Sequence, residues 1–186
     1  IAPGSGFSQH AHKDMDILTL VLSGALTHED TLGNVATIAP GEVQLMSAGS
    51  GIRHSEMNAS QSNAAHFLQI WLIPDRLGGA PTYQQAPLPA RDRATDWTLL
   101  ASGTDENAPL ALLSDSHVSI TYPREGIATS VPQTRGRVSF VQIVEGVAMV
   151  EGERLGSGDG LQIGDEDMPD LTWLTDGQAI LFDMRR

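Results

Sequence analysis

Two short stretches concentrate the side chains able to do chemistry. His10-Ala11-His12 sets two imidazoles two residues apart, and His54-Ser55-Glu56 sets an imidazole and a carboxylate at the same spacing. In an extended chain residues i and i+2 project from one face. Two such strands, paired, would bring three imidazoles and one carboxylate to one point. That donor set suits a divalent first-row metal: iron, nickel, cobalt, copper, manganese and zinc all accept nitrogen and oxygen ligands of this kind. An octahedral ion held by four side chains would keep two positions for substrate, water or oxygen. A lone His-x-His pair is more often a pair of solvated loop histidines, so the second pair carries much of the argument.

The remaining candidates read more plainly. His28, in the polar hairpin His28-Glu29-Asp30, is expected to face solvent. His66 opens an apolar run and is expected as a core or strand-end histidine. His117, in Ser-Asp-Ser-His, is expected at a turn or strand start. Trp71, Trp97 and Trp173 are expected to pack rather than to stack on a ligand. Asp165-Glu166-Asp167 reads as a solvated acidic turn.

The elements that must position these residues are short. Ile17–Leu22, Val35–Ile38, Val43–Met46 and Phe67–Ile73 are apolar runs that end at glycine, proline or aspartate. Frequent turns between short strands predict an all-β barrel or sandwich. A short helix is expected between Ala90 and Ala101. Residues 76–93 hold Gly78, Gly79, Pro81, Pro87 and Pro89 and read as a linker. Beyond it the pattern repeats: Val21-Leu22-Ser23-Gly24-Ala25 parallels Ile143-Val144-Glu145-Gly146-Val147, and residues 40–45 parallel 158–163. Two tandem copies of one β unit follow, residues 1–90 and 91–186. In the second copy the positions of His10 and His12 fall on Pro132 and Thr134, and no histidine follows His117. The second copy is expected to hold no metal.

Composition narrows the function. Hydrophobic residues make up 40% of 186, enough for a core, and charged residues only 18%, which argues against disorder. A formal charge of −12 would be repelled by a phosphate backbone, so no direct nucleic-acid partner is expected. There is no cysteine, which removes disulfides, zinc–thiolate sites and thiol nucleophiles and fits a reducing cytoplasm. No apolar run is long enough to span a bilayer as a helix, so no membrane partner is expected.

Around the two pairs, Gly4 lies six residues before His10, Gly51 three before His54, and Asn58 four after it. These match pieces of the two cupin signatures, Gly-x5-His-x-His and Gly-x2-His-x3-Asn. Residues 6–12, 46–56 and 66–76, with Ala80-Pro81-Thr82-Tyr83, look like pirin signatures, and Ala179–Asp183 resembles a bacterial pirin ending. The chain is thus similar to the pirin family, densely over residues 4–85 and thinly beyond.

The resemblance implies a bicupin, two tandem cupin barrels, with His10, His12, His54 and Glu56 as the ligands of one divalent transition metal, iron first among the candidates. It favours Glu56 over Asp16 as the carboxylate. It implies a metal-dependent dioxygenase of the quercetin 2,3-dioxygenase type, acting on a small aromatic substrate with O2. Glu56 would also act as catalytic base, and Phe7, Met46 and Met57 would line the substrate pocket. The alternative it carries is a metal-containing regulatory protein that modulates a protein partner, a transcription factor or a metabolic enzyme. Two departures stand out. Pirins carry a further N-terminal stretch, so a segment before Ile1 is expected; and Lys13 stands where many relatives have arginine.

Overall fold

The computed structural model describes every residue except 93–95, 133–135, 165–169 and 186, and the expected acidic turn at 165–167 and the position of Thr134 lie outside the described residues. The described residues form strands and no helix, so the all-β expectation holds and the helix expected between Ala90 and Ala101 is corrected. Thr98-Leu99-Leu100-Ala101-Ser102 is a strand, β9 below. Its Leu and Ala residues suit a helix locally, but pairing with a neighbouring strand decides the outcome. Accordingly, no helix among the described residues is long and apolar enough to cross a membrane.

The chain divides into two compact units, Ile1–Leu88 with Leu112–Ser114, and Pro89–Ala111 with Asp115–Arg186. The first holds β1 (Gly6–His12), β2 (Asp16–Ser23), β3 (Leu26–Asp30), β4 (Val35–Ile38), β5 (Glu42–Ser47), β6 (Ile52–Asn58), β7 (His66–Leu72) and β8 (Thr82–Pro87). They form two four-stranded sheets, ordered β1-β6-β3-β4 and β7-β2-β5-β8. The second holds β9 (Thr98–Ser102), β10 (Leu110–Ala111), β11 (Ser116–Thr121), β12 (Ala128–Ser130), β13 (Arg137–Glu145), β14 (Val147–Val150), β15 (Glu153–Gly156), β16 (Gly160–Ile163), β17 (Asp170–Trp173) and β18 (Gln178–Arg185). Its sheets run β10-β9-β11-β18-β13-β16 and β12-β17-β14-β15.

The tandem repeat is visible at matching glycines. Gly24, between β2 and β3, has φ 75°, and Gly146, between β13 and β14, has φ 87°. A Cβ at either would lie 2.7 Å from the Ala64 carbonyl oxygen or 2.5 Å from that of Asp176. Only glycine tolerates both that backbone and that approach.

Inside the first unit the buried residues are layered. Ile17, Met46, Ala48 and Ile52 form one apolar cluster. Val21, Leu26, Ile38 and Ala65 form another. On β2, Thr19 falls between Ile17 and Val21, and it pairs with Gln44 on β5 and Gln69 on β7. On β6, His54 and Glu56 fall in the same interval. A polar belt therefore sits between two apolar plugs. Such a belt is costly to bury unless its members satisfy one another or a ligand. In the second unit the interior is apolar throughout its main cluster, centred on Val141, Ile143, Leu171 and the fully buried Trp173.

Candidate metal centre

The centre is built on β6, whose burial alternates along Ile52–Asn58 so that Ile52, His54, Glu56 and Asn58 face inward. β6 is paired on both sides. β1 sets His10 opposite His54. β3 sets His28 opposite Glu56 and Asp30 opposite His54. Between Phe7 and His10 the β1 register shifts, so three steps on β1 match two on β6. Such a bulge re-aims side chains. Here it puts Phe7, opposite Glu56, on the same face as His10 and His12.

Two groups of candidate ligands result. His10, His12 and His54 each offer a nitrogen within 4.8 Å of the others, and His28, His54 and Glu56 form a second such group that shares His54. The His54 and His10 Nε2 atoms are 3.0 Å apart. That equals the spacing of two adjacent nitrogens held about 2.1 Å from one ion at a right angle. His10 Nδ1 lies 2.8 Å from the Ser8 carbonyl oxygen and must donate to it, which leaves Nε2 with a lone pair facing inward. His12 Nε2 is buried and has no hydrogen-bond partner. An orphaned imidazole nitrogen beside two others fits a cation. Burial, aided by the His10, His28 and His12 rings, pushes His54 down to about 3, and burial with His10 likewise lowers His12. Both stand neutral near pH 7, the form that ligates metal.

Glu56 is 2% exposed, and burial raises its carboxyl above the ordinary value against the pull of the Gln69 amide and nearby imidazoles. Gln69 Nε2, from the opposite sheet, donates to both carboxylate oxygens at 3.0 and 2.8 Å. Gln69 Oε1 in turn accepts from Trp71 Nε1 at 3.3 Å. The Trp71 ring stands edge-on to His12, with centroids 5.2 Å apart, and is 55% exposed. The packing role expected for Trp71 is therefore corrected: it stands at the mouth of the cluster. Trp173 does pack, and Trp97 is partly buried against the same core.

The solvent-exposed position expected for His28 is overturned, since its side chain is 0% exposed. Its Nε2 contacts Asp30 Oδ2 at 3.0 Å, and its ring lies 5.0 Å from that of Tyr83. Burial would raise Asp30, but hydrogen bonds from His28, Asn34 and Leu32 outweigh it and hold the carboxyl below its usual range. The motif His-Glu-Asp reads as a polar turn because the pairing partner of His28 is Glu56, 28 residues away. Gln69, which no sequence motif marks, and Trp71, expected only to pack, reach the site from β7.

The other candidates scatter. Phe7 is 49% exposed with its ring 6.3 Å from that of His10. Met46 lies wholly buried in the Ile17 cluster, and Met57 projects from the face of β6 opposite His54 and Glu56. Asp16 is buried and accepts the Leu113 backbone N–H. His66 begins β7 and is exposed, and His117 is the second residue of β11, with Ser102 Oγ 2.9 Å from its Nδ1. Beside His12, the side chains of Lys13, Thr31 and Arg53 border a surface groove of about 400 Å³.

Two β-barrels in tandem, with the imidazole cluster in the first, define a bicupin. Known proteins agree. Residues 1–72 match the family model described as Pirin, and residues 99–184 the one described as Quercetinase C-terminal cupin domain. A pirin-like protein of Caulobacter vibrioides is 40% identical over 98% of this chain and 79% of its own length. A quercetin 2,3-dioxygenase of Escherichia coli K12 is 36% identical over 99% of this chain and 78% of its own. The crystal structure of the E. coli bacterial pirin YhhW in complex with nickel(II) superposes with a TM-score of 0.92 at 34% identity, covering 100% of this chain and 79% of that one. The chain belongs to the pirin family.

Proposed function

We propose that the chain is a metal-dependent dioxygenase of the quercetin 2,3-dioxygenase type, opening a flavonol ring with O2. The observation that carries this reading is the convergence of His10, His12 and His54, with a buried, unpartnered His12 Nε2 among them, while Glu56, held by Gln69, groups with the shared His54. On this reading His10, His12, His54 and Glu56 hold one divalent ion, with iron the first choice among the first-row metals. The relative bearing the dioxygenase name and the nickel(II) complex of YhhW support the class of chemistry.

When bound, the ion supplies Lewis acidity that eases ionisation of an aromatic enol hydroxyl. Glu56 accepts the proton at a carboxylate oxygen. Burial makes it a stronger base than an exposed glutamate, which suits that task. Gln69 holds both oxygens in place, so the carboxylate has one orientation toward substrate. Phe7 and Trp71, beside His10 and His12, offer apolar ring surface at the mouth for a flat aromatic substrate. The apolar plugs above and below the polar belt restrict water.

The test pairs metal content with oxygen uptake on one preparation. Glu56→Gln keeps size and an oxygen atom but removes the base. It should retain much of the metal and lose about 10²–10⁴-fold in turnover. Full turnover by the metal-loaded variant would remove Glu56 from the mechanism. No turnover by the metal-loaded parent, across several flavonols and metals, would favour the regulatory alternative, in which the acidic chain binds a protein partner.

A further inference from the structure

We infer that Asp30 and His28 are positioning residues that fix which nitrogen of His54 is free to bind a metal. The inference rests on the reading of His54 as a ligand and adds an outer chain to it.

The chain of contacts is continuous. Asp30 Oδ1 accepts the backbone N–H groups of Leu32 and Asn34 at 2.9 and 3.1 Å. Asp30 Oδ2 accepts Asn34 Nδ2 at 2.9 Å and faces His28 Nε2 at 3.0 Å. His28 Nδ1 faces His54 Nδ1 at 3.4 Å, and His54 Nε2 faces His10 Nε2 at 3.0 Å. The side chains of His28 and Asp30 are both 0% exposed, so bulk solvent does not reach them.

Donor and acceptor roles then follow one from another. A carboxylate only accepts, so His28 Nε2 carries the hydrogen. A neutral His28 then presents a lone pair at Nδ1. His54 must donate from its own Nδ1, which leaves the lone pair on Nε2, the atom beside His10 and His12. At the other end the Ser8 carbonyl fixes His10 by the same logic. Metal-binding imidazoles commonly have their second nitrogen fixed in this way, usually by a carboxylate directly. Here a second, wholly buried imidazole stands between. The Asp30–Asn34 turn thereby reaches the centre through two rings.

A substitution of nearly equal shape should reverse the chain. In Asp30→Asn the amide oxygen can still accept the two backbone N–H groups. Its NH2 then replaces Oδ2 and points at His28, and the Asn34 amide, which donated to Oδ2, turns its oxygen toward the new NH2. His28 must offer a lone pair at Nε2 and move its hydrogen to Nδ1. His54 must then accept at Nδ1 and carry its hydrogen on Nε2, blocking the ligand atom. An aspartate-to-asparagine change that imposes the wrong tautomer on a histidine is known to disable a catalytic triad while leaving its geometry intact.

The experiment titrates zinc(II), a diamagnetic probe, into metal-free parent, Asp30→Asn and Asn34→Ala, against a competing chelator. Nitrogen-15 spectra of the imidazoles are recorded on the same samples. Asp30→Asn should lose about 10–100-fold in zinc affinity, the usual cost of an outer partner. Asn34→Ala, which loosens the same turn but keeps the carboxylate, should lose less. In the zinc-loaded parent, His28 should carry its hydrogen on Nε2 with Nδ1 unprotonated; in metal-free Asp30→Asn it should move to Nδ1. If Asp30→Asn does not fold, the parent's His28 spectrum decides. Parent-like zinc affinity in folded Asp30→Asn would overturn the inference, as would hydrogen on His28 Nδ1 in the parent. So would two zinc ions per chain, with the second between His28 and Glu56. A parent that binds neither zinc(II) nor nickel(II) would instead overturn the metal reading itself.

Discussion

Replacing Gln69 with leucine isolates the contribution of the opposite sheet to the centre. One amide nitrogen donates to both oxygens of Glu56, at 3.0 and 2.8 Å, in surroundings where Glu56 is 2% exposed. A hydrogen bond to a charged group contributes about 1.5–3 kcal/mol net. Both bonds come from one amide and act on one carboxylate, so that range is taken once for the pair. Leucine has a similar volume and keeps the barrel filled, so the loss falls on the orientation of Glu56. Converted at 1.4 kcal/mol per tenfold, the expected fall in metal affinity is about 10–150-fold. The general cost of removing an outer-shell partner, roughly 10–100-fold, falls in the same range by a separate route. Gln69 also accepts the Trp71 indole N–H, so Trp71→Phe serves as the control for that lost tether. The assay is chelator competition with nickel(II), alongside thermal unfolding of the metal-free proteins. A folded Gln69→Leu that binds metal like the parent would refute the claim that Gln69 holds Glu56 for ligation.

Two further outcomes concern stability. Burial raises the Asp16 carboxyl above its ordinary 3.8, so its favourable contribution is complete below that value and is lost as pH rises through the folded-state value. Asp16→Asn should therefore melt higher than the parent near pH 7, with the gap closing below pH 3.8; a gap independent of pH would contradict the assignment. Trp173, 1% exposed and donating to Thr129 Oγ1 at 3.2 Å, should cost about 3–5 kcal/mol on truncation to alanine in urea unfolding, and a loss under about 1 kcal/mol would contradict its place in the core.

The alternation of His10 with His12, and of His54 with Glu56, is local and can be read directly from spacing. So can the all-β class, because Gly and Asp punctuation interrupts every apolar run. What surrounds the pairs is not local. His28 looks like a turn residue until β3 pairs with β6, which places it opposite Glu56. Gln69 and Trp71 sit within an apolar run whose inward face is set only by pairing with β2. Phe7 and His10, three residues apart, share a face only because of a bulge that the sequence does not announce. Thr98–Ala101 reads as the end of a helix for the same reason: the partner of its strand, β11, lies beyond a turn.

Because β6 is hydrogen-bonded on both sides and delivers His54 and Glu56 between strands that deliver His10 and His28, the chain cannot change length there without penalty. Removing or adding one residue inside Ile52–Asn58 would turn part of the strand over and send a ligand to the outer surface. Length variation compatible with an intact centre is therefore confined to connections that face outward, such as the exposed residues 61–64 or 75–78. An insertion scan would map the centre as a silent interval flanked by permissive loops, with no assay of chemistry needed.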